Sequence, residues 1–93
     1  MKAYLITYDL KKSGQNYNAL YDAIKSASYN DTWMHYLDST WIIKSSLSAE
    51  QVYDKIKAVV DDNDYFIIIE VVKDYYGWLP KEAWEYLDNN IFN

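Results

Sequence analysis

The chain contains no cysteine and no arginine. Without cysteine there is neither a disulfide framework nor a zinc–thiolate site. Without arginine the bidentate reader of phosphate and guanine is missing. Glycine occurs twice (Gly14, Gly77) and proline once (Pro80), so regular elements joined by short turns are expected. No apolar run approaches the ~18 residues of a membrane span, and Asp9 comes too early for the apolar stretch of a secretory signal. These features predict a cytoplasmic protein without membrane association. His35 is the lone histidine, which leaves no paired-histidine metal site. There is no glycine-rich phosphate loop and no nucleophile elbow.

What is present is acidic and aromatic. Fourteen Asp and Glu face nine lysines across 93 residues, for a net charge of −5. That balance works against binding driven by phosphate contacts, duplex DNA above all. Eleven Tyr, four Trp and two Phe supply bulky apolar surface. The length suits one domain, residues 1–93, and folding should bury roughly two thirds of the extended chain's surface.

Residues 2–9 (KAYLITYD) alternate and predict a first strand. Residues 11–16 form a polar loop, with Asn16 as a helix cap. From Tyr17 the period becomes helical, with Leu20, Tyr21, Ile24 and Ala27 on one stripe. Residues 32–37 and 40–46 read as a hairpin around Asp38-Ser39. Ser48 and Gln51 spell a capping box, Leu47 and Val52 a hydrophobic staple, and Val52, Ile56, Val59 and Val60 a buried stripe. Residues 65–72 (YFIIIEVV) predict a fourth strand, and Pro80 opens a last helix carrying Ala83, Trp84, Leu87 and Ile91. The order predicts an α+β, ferredoxin-like βαββαβ core over residues 1–72. Its four-stranded antiparallel sheet has order 4-1-3-2, with two helices on one face, and residues 73–93 add a C-terminal segment and helix.

Strand alternation then assigns faces. Leu5, Ile42, Phe66, Ile68 and Val72 are expected on the face the two helices do not reach, with a Lys44–Glu70 pair across Ala3. An apolar face of that size calls for a cover. A second copy of the sheet is expected there, with the segment carrying Tyr75, Tyr76, Trp78 and Trp84 contributing. Asp9, Asp38, Asp61, Asp62 and Asp64 fall at one end of the sheet. They read either as a solvated edge or as oxygen ligands for magnesium, with Asp9 and Asp64 as ligands. Most rings, among them Tyr17, Tyr21, Trp41, Tyr53 and Trp84, sit at core periodicities, and His35 reads as structural. A pocket stacking one small nucleotide remains open on Tyr8 and Trp41, with Lys11 and Lys12 on the phosphate.

YLITYDL, the hairpin leading into STWIIKSSLSAEQVYDKI, and DDNDYFIIIEV resemble the small ferredoxin-like CRISPR-associated proteins of the spacer-acquisition complex and their VapD relatives, over about residues 1–72. YLITYDL together with GWLPKEAW is similar to small uncharacterised bacterial and phage proteins labelled "SinR family", although nothing here reads as a helix-turn-helix. The resemblance implies a homodimer, and a role in phage–host conflict. It also implies that Asp9, matching the family's strand-end aspartate, binds magnesium at the dimer interface. The relatives' basic residues are reduced here to Lys11, Lys12 and Lys25. The expected function is a homodimeric, non-catalytic module engaging a protein or a small nucleotide. The alternative is a magnesium-dependent ribonuclease with Asp9 as the catalytic residue.

Overall fold

A computed structural model describes residues 1–11 and 17–93. Strand β1 (Lys2–Asp9) leads to helix α1 (Tyr17–Ala27), then to the hairpin β2 (Trp33–Leu37) and β3 (Thr40–Ser45). Helix α2 (Ala49–Lys57) and strand β4 (Tyr65–Val71) complete the core, and α3 (Lys81–Tyr86) runs into a π turn over Leu87–Ile91. The sheet is antiparallel with order β2-β3-β1-β4. This is the ferredoxin-like α+β arrangement expected from the element order. Lys12, Gly14 and Asn16, read above as phosphate contact, loop glycine and cap, lie outside the described residues.

The main core forms where the helical stripes meet one sheet face. Tyr4, Ile6 and Tyr8 of β1 and Trp41 and Ile43 of β3 pack against Leu20, Ile24 and Ala27 of α1 and Val52 and Ile56 of α2. Each fully buried branched aliphatic there is worth about 1.5–3 kcal/mol relative to exposure. Helix α2 stops at Lys57, short of the last two residues of its sequence stripe, of which Val60 still packs against the core. Val59 is exposed. Ser48 caps the helix as a reciprocal box with Gln51, and Leu47 and Val52 both join the core. Two buried polar groups tie the loops to this core. The Ser45 hydroxyl donates to the carbonyl of Ala27 at 2.6 Å and accepts from the Leu47 amide at 3.1 Å. Tyr4 donates to the carbonyl of Leu47 at 2.7 Å.

Register corrects the expected face assignment of β4. Ile6 pairs with Ile68 and Tyr8 with Phe66, whereas Leu5 pairs with Ile69 and Thr7 with Ile67. Directly paired residues share a face, so Phe66 and Ile68 pack on the two-helix core. Tyr65, Ile67, Ile69 and Val71 take the opposite face. A one-residue difference in pairing moves a whole strand's side chains across the sheet, and a strand this apolar on both sides gives alternation nothing to decide by. Leu5 and Ile42 do lie on the opposite face, since they pair with each other. Val72 follows the end of β4 and is exposed.

The expected Lys44–Glu70 pair is absent for the same reason. Lys44 pairs with Ala3 and donates to the Asn93 carbonyl at 3.2 Å. Glu70 pairs with Tyr4 and meets Lys2 at 3.8 Å.

The C-terminal segment covers part of the second face. Ala83, Leu87 and Ile91, four residues apart, bury with Ala3 and Met34, and Ile42, Val71, Tyr75, Trp84 and Phe92 pack around them. The Trp33 amide of the edge strand β2 donates to the Tyr86 hydroxyl at 3.1 Å, which ties α3 to the sheet.

Candidate functional site

The carboxylates at the end of β1 do not converge. Asp9 is exposed and ion-paired with the Lys11 ammonium. That contact, first as a hydrogen bond and then as a charge, raises the lysine pKa above its ordinary value. Asp62 pairs with Lys57 at 3.0 Å. Asp38, in the β2–β3 turn, offers its main-chain carbonyl to the Tyr8 hydroxyl at 3.1 Å and to His35 Nε2 at 2.9 Å.

Asp64 is buried, and its two oxygens accept the amides of Lys11 at 3.0 Å and Asp61 at 2.9 Å. It latches the chain leaving β1 to the chain entering β4. Each of its oxygens thus accepts a backbone donor. Among the described residues, no group of three or more His, Cys, Asp or Glu side chains is placed to hold a metal ion. The acidic edge has instead divided into exposed ion pairs and one buried latch.

The two rings proposed for base stacking are closed off. Trp41 is 1% exposed and Tyr8 6%. Trp41 Nε1 donates to the Tyr8 hydroxyl at 3.2 Å. Burial pushes the Tyr8 phenol pKa up to about 12, against the lowering effect of the Trp41 hydrogen bond. His35 stacks on Trp41 with centroids 4.1 Å apart and planes 13° apart, and Tyr21 meets both rings at 5.2 and 5.3 Å. Trp33 stands against Trp41 at 5.0 Å, with Lys25 Nζ 4.8 Å over the Trp33 ring. This cluster is a wall of the core, and each ring already has partners. One residue more in β2 than in β3 between Met34 and Leu37 makes a bulge at His35–Tyr36, the usual device for re-aiming side chains. Lys11 reaches over Tyr65, 5.5 Å from the ring centroid, as well as to Asp9.

Two surface features remain. The first is the part of the second sheet face that α3 leaves uncovered. There Ile67 is 53% and Ile69 47% exposed, with Leu5 beside them and Val72 just beyond. The second is the segment between β4 and α3. Tyr75 stacks against Trp84 (5.8 Å, 18°) and tilts against Phe92 (5.3 Å). Tyr76 is fully exposed and Trp78 98% exposed. Of the four rings expected to cover the sheet, Tyr75 and Trp84 do so, whereas Tyr76 and Trp78 point into solvent. Sequence reasoning missed the cleft that results. Its signal was the Tyr75-Tyr76-Gly77-Trp78 run ahead of a helix carrying Trp84.

No protein-family model matches the chain, and neither does any curated protein or solved structure.

Proposed function

We propose that the protein is a non-catalytic interaction module that self-associates as a homodimer through the uncovered part of its second sheet face. The observation that carries this reading is the exposure of Ile67 and Ile69 side by side with Leu5 on one face of the sheet. Contiguous apolar surface of this kind marks association sites. β4 is also an edge strand. It holds no lysine or proline, the residues that commonly blunt an edge. A standard interface takes about 800 Å² from each partner, roughly an eighth of this chain's 6096 Å² of surface. A two-fold contact needs a patch complementary to itself, and an uncharged aliphatic patch meets that condition where an ionic one would not. The reading agrees with the net charge of −5 and the lack of arginine, which disfavour a nucleic-acid substrate.

Light scattering across a micromolar concentration series tests the reading. A dimeric mass is expected for the native chain. Ile69→Asp should yield a folded monomer, because a half-exposed side chain tolerates a charge in the monomer but not in an apolar interface. A monomeric native chain at every concentration overturns the proposal. Magnesium-dependent RNA cleavage that Asp9→Ala abolishes would replace it with the ribonuclease reading.

A further inference from the structure

The open cleft between the β4–α3 segment and α3 is lined by Tyr75, Tyr76, Gly77 and Trp84 and has a volume of about 290 Å³. That is near the lower end of the roughly 300–1,000 Å³ of small-molecule sites. We infer that this cleft binds a small organic cation, a quaternary or otherwise alkylated ammonium head group, against the rings of Trp84, Tyr75 and Tyr76. The inference does not rest on the homodimer.

Four observations support it. The walls are rings of Trp and Tyr, whose electron-rich faces attract ammonium groups, Trp most strongly. At Gly77, a side chain would begin 3.5 Å from Trp84 Cη2 and 3.8 Å from Cζ2, so glycine leaves that part of the indole uncovered. No basic residue lines the cleft. The two lysines of residues 73–93 already face carboxylates of that segment, Lys73 at 3.9 Å from Asp88 and Lys81 at 3.7 Å from Glu85.

The net charge of the segment that carries the cleft favours a cation as well. Asp74, Glu82, Glu85 and Asp88 outnumber Lys73 and Lys81 in this segment, on a chain of net charge −5. A phosphate-bearing ligand would meet that field as repulsion. Tyr75 is held in place by donating its hydroxyl to the Asp88 carboxylate. Burial and that hydrogen bond push its pKa up to about 12. Asp88 thereby places negative charge at the rim of Tyr75 without entering the cleft lining. A neutral apolar ligand would gain contact with the same rings but nothing from the ring quadrupoles or the acidic surround. Charge discrimination at constant shape is therefore the property to measure.

The experiment is a titration of ¹⁵N-labelled protein with choline and, separately, with 3,3-dimethylbutan-1-ol, which has the same shape without the charge. Choline should give saturable shifts at the Gly77 amide and the Trp84 indole N–H. The alcohol should bind roughly three- to tenfold more weakly, the discrimination expected from one or two cation–π contacts at an exposed site. Tyr76→Ala removes a fully exposed ring, so it should leave the melting temperature unchanged while weakening choline several-fold. Trp84→Leu should abolish the response. Because Trp84 also packs in the second core, the Tyr76 variant keeps the test sound if Trp84→Leu fails to fold. Equal affinity for the two ligands would overturn the inference by showing a merely apolar cleft. Choline shifts scattered over the surface, or absent up to high-millimolar concentration, would overturn it too.

Discussion

Asp64 and Asp9 stand at the same end of the sheet, yet chemistry divides them. Asp9 shares an exposed ion pair with Lys11, and such pairs contribute about 0–1 kcal/mol. Asp64 is buried and satisfies two main-chain amides from two different loops. A hydrogen bond to a charged group is worth about 1.5–3 kcal/mol, and a buried donor left without its acceptor costs a similar amount. Asp64→Ala is therefore expected to destabilise the fold by at least about 2 kcal/mol. Asp9→Ala should lie within about 0.5 kcal/mol of the native chain. Urea unfolding of the two variants side by side measures the contrast, and similar losses would contradict the latch.

Tyr8 offers a second test at the same scale. Tyr8→Phe keeps the ring but strands Trp41 Nε1 in the core, at an expected cost of about 1–3 kcal/mol. Its pH dependence has a definite sign, because the phenol rises from its ordinary 10.0 to about 12 in the folded chain. Below pH 10 both states keep the proton and the group adds no pH dependence. Between pH 10 and 12 only the unfolded chain ionises there, so stability falls as pH rises. The alkaline loss should be shallower in Tyr8→Phe, as followed by thermal melts from pH 8 to 12.

At the scale of elements, the sequence was most legible where a local rule had one answer. The Ser48 box has both of its reciprocal hydrogen bonds, at 3.2 and 2.9 Å. Ser48→Ala should cost about 1 kcal/mol, and Ser48→Asp should recover most of it. A drop of several kcal/mol on chemical denaturation would mean that the serine does more than cap. The element order, the hairpin at Asp38-Ser39 and the sheet order were legible for the same reason. Each follows from short turns and from crossover handedness.

The face of β4 was not legible. YFIIIEV is apolar at nearly every position, and only pairing with β1 decides which isoleucines face the helices. The acidic edge left two readings open, a solvated edge or a set of metal ligands. Topology brought five aspartates near one end, but their individual partners, which spacing does not encode, separate them: backbone amides for Asp64 and lysines for Asp9 and Asp62. Trp41 sits at a core periodicity and is buried, but a stacking pocket on Tyr8 and Trp41 stays open in the sequence because periodicity shows a stripe and not its depth. Gly77 and Trp84 meet only because the segment after β4 folds back over α3.

In the proposed homodimer, charge and apolar surface act against each other across the whole molecule. Two copies of net charge −5 repel, while the face carrying Leu5, Ile67 and Ile69 attracts without any charge of its own. The attraction is short-ranged and grows with the apolar area removed from water. The repulsion extends over the Debye length, about 30 Å at 0.01 M salt and about 3 Å at 1 M. Added salt should therefore remove the opposing force and leave the attraction intact. The dimer dissociation constant should fall as sodium chloride rises from about 10 mM toward 1 M, with the steepest change at the low end, where screening is weakest. Sedimentation velocity at several protein concentrations in each salt would measure it. An interface built instead on ion pairs, such as Lys2–Glu70 exchanged between copies, would loosen over the same range. The sign of the salt dependence thus separates association through the sheet face from association through the charged rim.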